Sequence, residues 1–306
     1  MTVVLEATVD SELTNFFETQ RQRIDASLDV LLEPASEFPT ILHESMRYSV
    51  FAGGKRVRPI LAMATGDALG GPQTAVLKLA ACLELIHTYS LIHDDLPAMD
   101  NDDFRRGLPT LHKKYGEGVA ILAGNALLTL AFKRLSELSA EGVDPTVTLS
   151  VIHALASATG TPDGMIAGQV VDLLTAGKDF SESELLYIHR SKTAALIRVS
   201  ITSAALLCGS PPDVLERMSA FGSSIGLVFQ IADDILDVEA SFHELGKTAG
   251  KDAQAEKATY PARYGIEKSR LLKTEQLDRA MTELEFLDSR AERLRQIAQF
   301  IDSRGH

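Results

Sequence analysis

The chain has no tryptophan and few aromatic side chains of any kind, which make up 6% of its 306 residues. A site that cradles bulky organic cations would be expected to carry more of them. Basic residues are also in the minority, because 30 Lys and Arg stand against 42 Asp and Glu and give a net charge of −12. This acidity argues against nucleic acid as a partner. It also requires that a site for an anion gather its positive charge locally or take it from a metal.

Cysteines and long apolar runs are scarce as well. Cys82 and Cys208 lie inside apolar stretches, so we expect buried free thiols rather than a disulfide. No basic segment followed by an apolar one opens the sequence, so no signal peptide is expected. The longest apolar run, residues 119–132, is shorter than the roughly 20 residues of a membrane span and predicts a helix in the core or at a subunit interface. A soluble cytoplasmic protein without a membrane span is therefore expected.

The sequence has no series of short alternating segments, no repeat and no linker rich in Pro, Gly or Ser. Apolar side chains recur instead with helical spacing, as at Leu13, Phe16 and Ile24, and residues 192–207 and 214–238 are further spans of helix length. An apolar fraction of 45% is enough for a substantial core. We therefore predict one all-α domain, residues 1–306, of about ten helices, a fold class that builds its sites between facing helices.

Two aspartate clusters stand out against this background. The first aspartate motif is DDLPAMD at residues 94–100, and the second is DDILD at residues 233–237. Carboxylates packed this closely repel one another and are costly to desolvate unless a cation lies between them. Clustered oxygen ligands suit Mg²⁺ that holds a phosphate-bearing substrate, although a solvated acidic surface is the alternative for each motif. The pair indicates a Mg²⁺-dependent enzyme acting on diphosphates.

The approach to the first motif places His87, Ser90 and Asp94 on one stripe of a helix. Pro97 disfavours helix at the residue before it, so we expect a turn that brings Asp100 back beside Asp94. The second motif continues a helical stripe that begins at an amide. That stripe comprises Gln230, Asp233, Asp234 and Asp237.

Cationic side chains occur in short patches near these motifs. Arg binds phosphate oxygens in forked geometry and Lys binds them as a point charge. Each patch alone is also typical of a solvated surface, and only its occurrence together with two carboxylate motifs indicates anion binding. The patches contain Lys55 and Arg58, Arg105 and Arg106, Lys192, and then Lys247, Lys251 and Lys257.

Taken together, these segments resemble the short-chain trans-isoprenyl diphosphate synthases of the polyprenyl synthetase family, and most of all the bacterial members that make farnesyl diphosphate. The resemblance extends over roughly residues 55–264. The matching segments are GGKRVRP at 53–59, ELIHTYSLIHDDLPAMDNDDFRRGLPTLH at 84–112, DGMIAGQVVDL at 163–173, KT at 192–193, FQIADDILD at 229–237 and LGKTAGKD at 245–252.

The resemblance implies about ten helices around a central cavity, a homodimer, and a transferase of isoprenoid biosynthesis. It also implies about three Mg²⁺ ions, with Mn²⁺ as an alternative, on the diphosphate of an allylic substrate. The implied metal ligands are Asp94, Asp95, Asp100, Asp233 and Asp237. The implied cationic contacts to the same diphosphate are Arg105, Lys192 and Lys247.

The second substrate implied by the resemblance is isopentenyl diphosphate. Thr193 and Gln230 are expected near the allylic carbon, where their oxygen dipoles stabilise developing positive charge. The implied contacts to isopentenyl diphosphate are Lys55, Arg58, His87 and Arg106, and the substrate-binding set also includes Tyr89, Ser90, Asp234 and Lys257.

The implied reaction is ionisation, condensation and elimination. An allylic diphosphate, dimethylallyl or geranyl, loses pyrophosphate, the double bond of isopentenyl diphosphate attacks the carbocation, and a proton is lost. Pre-arranged positive charge around the leaving group lowers the barrier electrostatically, and water must be excluded because it quenches the cation.

Product length in this family depends on the depth of an apolar pocket. The large side chain expected at its floor is Tyr89, five residues before the first motif, and an ordinary core tyrosine is the alternative. Four residues separate Asp95 from Asp100, a spacing that often accompanies a C15 product in the family. Farnesyl diphosphate is therefore the expected product, and geranylgeranyl diphosphate is the runner-up.

Two more distant alternatives use the same fold. A class I terpene cyclase shares the Mg²⁺ chemistry but normally lacks the set of residues for a second diphosphate, and it would be expected to carry more aromatic side chains. A non-catalytic regulatory subunit should have lost one aspartate motif, whereas both are intact here.

Overall fold

A computed structural model of the chain describes residues 2–243 and 257–303. These residues are helical almost throughout, which confirms the all-α prediction. A π-helical turn, His189–Ala194, joins two of the helices, and short 3-10 turns lie at Glu137–Ser139 and Glu285–Ala291. The α-helices are α1 (Thr2–Leu31), α2 (Thr40–Val50), α3 (Val57–Leu69), α4 (Gln73–Asp94), α5 (Leu111–Tyr115), α6 (Glu117–Ser136), α7 (Pro145–Thr159), α8 (Met165–Thr175), α9 (Glu182–Ile188), α10 (Ala195–Leu207), α11 (Pro212–His243), α12 (Tyr260–Tyr264), α13 (Ile266–Glu283) and α14 (Glu292–Asp302).

The chain forms two compact units. The first unit comprises Met1–Gly66 and Gly71–Ile152, and the second comprises Asp67–Gly70 and His153–His306. In the first unit, α4 packs against α1 and α6 and is buried on nearly every side. In the second unit, α11 packs against α10, α13 and α14. Each unit therefore has one long helix in its core, and each of these helices carries one of the aspartate motifs.

A short β-hairpin follows the first aspartate motif. Strand β1 (Phe104–Arg105) pairs antiparallel with β2 (Leu108–Pro109), and the two residues between them, Arg106 and Gly107, have φ values of 53° and 77°. A two-residue loop with positive φ at both residues has a backbone twist that matches the right-handed twist of the flanking strands. Glycine adopts this conformation without steric cost. The sequence did not predict this hairpin, because strands of two residues are too short to show an alternation of apolar and polar side chains.

By length and composition, two helical segments could cross a membrane. Gln73–Asp94 is 72% buried over its most apolar stretch, whereas Glu117–Ser139 is only 33% buried. The absence of a membrane span therefore stays a prediction. Both cysteines are free thiols, as predicted, but Cys208 is only partly buried, whereas Cys82 is fully buried.

Candidate active site

The chain turns back on itself at the end of α4. The Asp100 N–H donates to the Asp94 carbonyl oxygen at 2.8 Å. Asn101, with φ of 50°, donates its N–H to the carbonyl oxygen of Leu96 at 3.1 Å. The predicted turn after Pro97 is thus confirmed for the backbone, and it places two residues of the first aspartate motif side by side.

The buried carboxylate of this motif is compensated by an arginine from the hairpin. Asp95 is 4% exposed, and its Oδ1 accepts from Arg105 Nε at 2.7 Å. Arg105 Nη2 also lies 3.7 Å from Asp102 Oδ2. Burial raises the pKa of the Asp95 carboxyl, and the hydrogen bond and charge of Arg105 counteract this in part. The protein therefore supplies part of the positive charge that this carboxylate cluster requires.

The Gly53-Gly54 pair in the GGKRVRP segment permits a close approach to Arg106. Arg106 Nη1 donates to the Gly53 carbonyl oxygen. A Cβ atom on Gly54 would lie 2.6 Å from the Arg106 guanidinium, and both glycines have positive φ. The positive φ values favour glycine at both positions, and the missing Cβ atom of Gly54 leaves room for the Arg106 guanidinium beside the loop that carries Lys55.

Arg56, in the same segment, has a structural role that the sequence did not predict. It is 3% exposed and donates from Nη1 to Glu84 Oε1 at 2.6 Å and from Nε to Asp25 Oδ1 at 3.0 Å. Its Nη2 donates to the carbonyl oxygen of Val50 at 2.7 Å. A buried ion pair satisfied in this way fixes the segment to α4, because losing either partner would leave an uncompensated charge. Nothing in the spacing of the basic residues distinguishes Arg56 from its neighbours.

His87 lies among arginines on the motif's side of α4. Its Nε2 is 3.4 Å from Arg58 Nη1. Burial holds the pKa of His87 well below its usual range, and the charges of Arg58, Arg106, Arg105 and Arg56 lower it further. Four guanidinium groups thus act on one neutral imidazole. Such a gathering of guanidinium groups suits a bound diphosphate.

Two side chains just before the first motif are buried. Tyr89 is 5% exposed, and its ring meets that of His93 edge-on at 5.6 Å. The Tyr89 hydroxyl is buried without a hydrogen-bond partner in the described part of the chain, and burial together with Asp94 raises its pKa to about 12. The Ser90 hydroxyl donates to the His87 carbonyl oxygen at 2.8 Å. Tyr89 therefore offers bulk rather than a polar contact.

In the second unit, Lys192 pairs with a carboxylate on α8. Its Nζ donates to Asp172 Oδ2 at 2.6 Å. The sequence predicted that Lys192 opens a helix; it lies instead inside the π-helical turn His189–Ala194, before α10 begins at Ala195. Such wider turns are rare and often lie at functional sites. Asp172 was not singled out, although it lies in the DGMIAGQVVDL segment.

Two glycines let neighbouring helices pack closely against this turn. A Cβ atom on Gly168 of α8 would lie 2.4 Å from the Lys192 nitrogen. A Cβ atom on Gly226 of α11 would lie 2.4 Å from the Ala194 Cβ. Real Cβ atoms do not approach this closely, so both positions require glycine for the present packing. The turn is thus held between α8 and α11 at its backbone.

A chain of hydrogen bonds links the turn to the second aspartate motif. Thr193 Oγ1 donates to Gln230 Oε1 at 2.6 Å, and Gln230 Nε2 donates to Asp234 Oδ1 at 2.7 Å. The backbone N–H of Tyr260 donates to Asp234 Oδ2 at 2.9 Å. The resemblance implied that Thr193 and Gln230 both lie near the allylic carbon, and the structure shows their side chains in direct contact.

His189 lies beside this chain and was not predicted. It is 3% exposed, its ring is 5.1 Å from that of Tyr260, and its Nε2 is 3.6 Å from Asp234 Oδ2, too far for a hydrogen bond. Burial lowers the pKa of His189 to about 4, Asp172 counteracts this, and Lys192 adds to it. A buried histidine on a helix has no sequence signal that separates it from a surface one.

The remaining predicted residues are placed as follows. Asp233 and Asp237 lie one turn apart on α11 and are half-exposed, and Lys257 is half-buried ahead of α12. Lys55 is exposed at the N-terminal side of α3. Lys247 lies outside the described residues, with the rest of the 245–252 segment.

The donor set fits Mg²⁺ completed by substrate better than a closed metal site. Within residues 2–243 and 257–303, no three His, Cys, Asp or Glu side chains converge into a metal cage. Mg²⁺ usually keeps several waters and binds one or two carboxylates together with phosphate oxygens. Each motif has half-exposed carboxylates that suit this role, Asp94 and Asp100 in the first and Asp233 and Asp237 in the second.

Comparison with known proteins finds relatives whose names agree with one another. The chain is 42% identical to the farnesyl diphosphate synthase of Geobacillus stearothermophilus over 95% of its own length and 97% of that protein. It is 48% identical to the large subunit 1 of the heterodimeric geranylgeranyl pyrophosphate synthase of Arabidopsis thaliana, a chloroplast protein, over 85% of this chain and 70% of that one.

The fold has a counterpart among solved structures. An FPP/GFPP synthase from Zymomonas mobilis, solved without ligands, superposes with a TM-score of 0.85 and 37% identity, and the match covers 96% of this chain and 99% of that one. The family model for polyprenyl synthetases matches residues 39–299. That match contains both aspartate motifs, the arginine cluster around His87 and the Thr193–Gln230 pair. The chain therefore belongs to the polyprenyl synthetase family.

Proposed function

We propose that the protein is a Mg²⁺-dependent prenyltransferase that joins isopentenyl diphosphate head to tail with dimethylallyl or geranyl diphosphate, releasing pyrophosphate and giving farnesyl diphosphate. The observation that carries this proposal is the gathering of arginines around His87, with Arg58 Nη1 3.4 Å from His87 Nε2, in a chain that also has both aspartate motifs. A terpene cyclase has only one diphosphate to bind, whereas this chain has cationic residues for two. Because the family match extends from residue 39 to 299, we further propose that residues 1–306 act as one catalytic domain.

The first substrate is the allylic diphosphate. When bound, Mg²⁺ supplies positive charge that stabilises the leaving pyrophosphate. Three cationic side chains also stabilise the leaving pyrophosphate by contacting it directly. They are Arg105, Lys192 and Lys247. Arg105 and Lys192 are already held by Asp95 and Asp172, so little reorganisation is needed as the carbon–oxygen bond breaks. The proposed metal ligands are Asp94, Asp95, Asp100, Asp233 and Asp237.

The second substrate is isopentenyl diphosphate, bound by Lys55, Arg58, His87 and Arg106. A neutral His87 can donate one hydrogen bond to a phosphate oxygen. Because it carries no charge, it does not repel the neighbouring guanidinium groups. Arg106 is fixed by the Gly53 carbonyl oxygen, so its free N–H groups have a defined direction. We propose that this cluster orients the homoallylic double bond for attack.

Positive charge on the allylic carbon is stabilised by dipoles. Thr193 and Gln230 provide oxygen atoms whose dipoles lower the energy of that charge. After the new bond forms, a proton leaves to the departing pyrophosphate, so no nucleophilic serine or cysteine is needed. The buried apolar surroundings on α10 and α11 help to exclude water.

Geranylgeranyl diphosphate is the second candidate product. It is favoured by the 48% identity to the Arabidopsis geranylgeranyl pyrophosphate synthase subunit, and farnesyl diphosphate is favoured by the bulk of Tyr89 at the expected pocket floor. The test is to incubate the purified protein with Mg²⁺, labelled isopentenyl diphosphate and C5, C10 or C15 allylic diphosphates, and to measure product chain length.

We expect C5 and C10 substrates to give a C15 product and the C15 substrate to be elongated poorly. Efficient elongation of the C15 substrate to C20 would identify a geranylgeranyl diphosphate synthase instead. Conversion of an allylic diphosphate to cyclic hydrocarbon without uptake of isopentenyl diphosphate would identify a terpene cyclase, and no turnover of any substrate would identify a regulatory subunit.

We also propose a homodimer in the cytoplasm. Helix α6 is apolar but largely exposed, with Ile121 42% and Leu122 62% exposed, and Leu149 on α7 is 66% exposed. Exposed apolar side chains on a helix this apolar can be buried by association with another protein. A second copy that presents the same helix would cover it symmetrically, as in most homo-oligomers.

A further inference from the structure

The three aspartates of the second motif differ in their surroundings. Asp233 and Asp237 are half-exposed, whereas Asp234 is 1% exposed. Asp234 uses both carboxylate oxygens inside the protein, Oδ1 for Gln230 Nε2 at 2.7 Å and Oδ2 for the Tyr260 N–H at 2.9 Å. The middle aspartate therefore has a different task from the two that flank it.

These contacts determine which way the Gln230 amide points. A backbone N–H can only donate, so Tyr260 requires an acceptor at position 234. The ionised carboxylate of Asp234 only accepts, so Gln230 must turn its NH₂ group toward it. The Gln230 carbonyl oxygen is then left for Thr193, whose hydroxyl donates to it at 2.6 Å. With Asp234 ionised, the amide orientation follows from donors and acceptors that are unambiguous.

The direction of this chain matters for a cation. Because the Thr193 hydroxyl hydrogen is engaged by Gln230, the lone pairs of Thr193 Oγ1 remain available for a positively charged neighbour. If the amide were reversed, its NH₂ group would donate to Thr193 Oγ1, and the hydroxyl hydrogen would point elsewhere. The same two side chains would then present the opposite dipole.

We propose that Asp234 is a positioning residue that holds the Gln230 amide with its oxygen toward Thr193, and thereby sets the dipole that the Thr193–Gln230 pair presents to the allylic carbon. This inference rests on the proposed function, and it takes Asp234 out of direct substrate binding. The surroundings support it, since His189 and Tyr260 are 3% and 4% exposed and close Asp234 off from solvent.

The test is Asp234→Asn. The Asn oxygen must accept from the Tyr260 N–H, so the Asn NH₂ group faces Gln230 and drives its amide to reverse. We expect kcat to fall on the order of 100-fold, the scale of losing one oriented dipole at a developing charge. The KM values of both substrates and the affinity for Mg²⁺ with inorganic pyrophosphate should stay within about twofold. Asp213→Asn, an exposed aspartate in the first turn of the same helix, is the matched control.

A second variant restores the direction of the chain. In Asp234→Asn combined with Gln230→Glu, the new carboxylate accepts from the Asn NH₂ group and from the Thr193 hydroxyl, and the net charge is unchanged. We expect kcat to recover at least tenfold over Asp234→Asn, which a merely structural role of Asp234 would not produce. If Asp234→Asn does not fold, the double variant decides alone and must turn over within about tenfold of the wild type.

Each possible result of these measurements either supports or overturns the inference about Asp234. A wild-type kcat in Asp234→Asn, or no recovery in the double variant, overturns the inference while the proposed function stands. A tenfold or greater loss of affinity for Mg²⁺ with pyrophosphate would assign Asp234 to metal binding and overturn it as well. A wild-type protein that condenses no prenyl substrates refutes the proposed function, and the inference falls with it.

Discussion

At the scale of single residues, side chains of the same type have different roles because their surroundings differ. Arg56 is buried in ion pairs with Asp25 and Glu84, whereas Arg58 lies beside His87. The sequence could identify the GGKRVRP segment as cationic. It could not divide the segment into an anchor and a ligand, because that division depends on Glu84, which α4 supplies.

Tyr89 is the residue on which the product prediction depends. Tyr89→Ala should lengthen the main product from C15 to C20, because removal of the ring deepens the pocket, and should cost about 3–5 kcal/mol of unfolding free energy. Tyr89→Phe is the matched control. The Tyr89 hydroxyl has no hydrogen-bond partner in the described part of the chain, so Phe should keep both the C15 product and the stability. An unchanged product in Tyr89→Ala would show that another residue forms the floor.

His189 should make the stability of the protein depend on pH. Its pKa is lowered to about 4, below the value of 6.5 expected in the unfolded chain, so the unfolded state binds more protons between these values. The stabilisation is complete above pH 6.5 and is lost as the pH falls toward 4, at up to about 1.4 kcal/mol per pH unit.

Urea unfolding at pH 6.5 and 5.0 measures this contribution. The free energy of unfolding of the wild type should fall by about 1.6 kcal/mol more than that of His189→Phe over this interval. Phe keeps a ring against Tyr260 and cannot titrate. Equal losses in the two proteins would mean that His189 keeps an ordinary pKa in the folded state.

At the scale of elements, the helices follow from the spacing of apolar residues, but the irregular segments do not. The period of 3.6 residues predicted helices leading into the two aspartate motifs, and α4 and α11 are those helices. The π-helical turn at His189–Ala194 looks helical by composition, and its extra width arises from close packing against Gly168 and Gly226. Such packing joins residues far apart in sequence, so local patterns carry no sign of it.

The glycine contacts of this turn lead to a prediction. Gly168→Ala and Gly226→Ala should each reduce kcat at least tenfold and cost about 1–3 kcal/mol, because a Cβ atom would displace the backbone that carries Lys192 and Thr193. Gly118→Ala in the first turn of α6 is the control. Nothing lies within 4 Å of its added Cβ, so activity should be unchanged and stability equal or slightly higher. Steady-state kinetics and thermal unfolding measure both effects, and full activity in Gly168→Ala and Gly226→Ala would contradict the account of the turn.

At the scale of the whole molecule, the exposed apolar face of α6 predicts self-association. Leu122→Lys should shift the protein from dimer to monomer in sedimentation velocity, since it places a charge in a surface that needs to be covered. Leu271→Lys is the control, because Leu271 is 58% exposed on α13, a helix rich in charged residues. A wild type that sediments as a monomer at micromolar concentration would contradict the proposed dimer.

The composition of the chain argued against nucleic acid as a partner, and its motifs indicated the family that the comparisons confirm. The roles of the two aspartate motifs, however, depend on how carboxylates, cations and substrate share charge. Sequence can identify the carboxylates but cannot divide them into ligands and supports, as the burial of Asp234 beside the half-exposed Asp233 illustrates.

The most direct test of the account is the rate of pyrophosphate release from geranyl and isopentenyl diphosphates, measured with and without Mg²⁺ in aspartate variants. Asp94→Asn and Asp233→Asn should each lower kcat by at least about 100-fold, and chelation of Mg²⁺ should abolish turnover in every protein. Asp103→Asn, which alters a 61% exposed aspartate paired with Lys113, should turn over like the wild type. Near-native rates in Asp94→Asn or Asp233→Asn, or turnover that persists without a divalent ion, would contradict the proposal that both motifs bind Mg²⁺ for prenyl transfer.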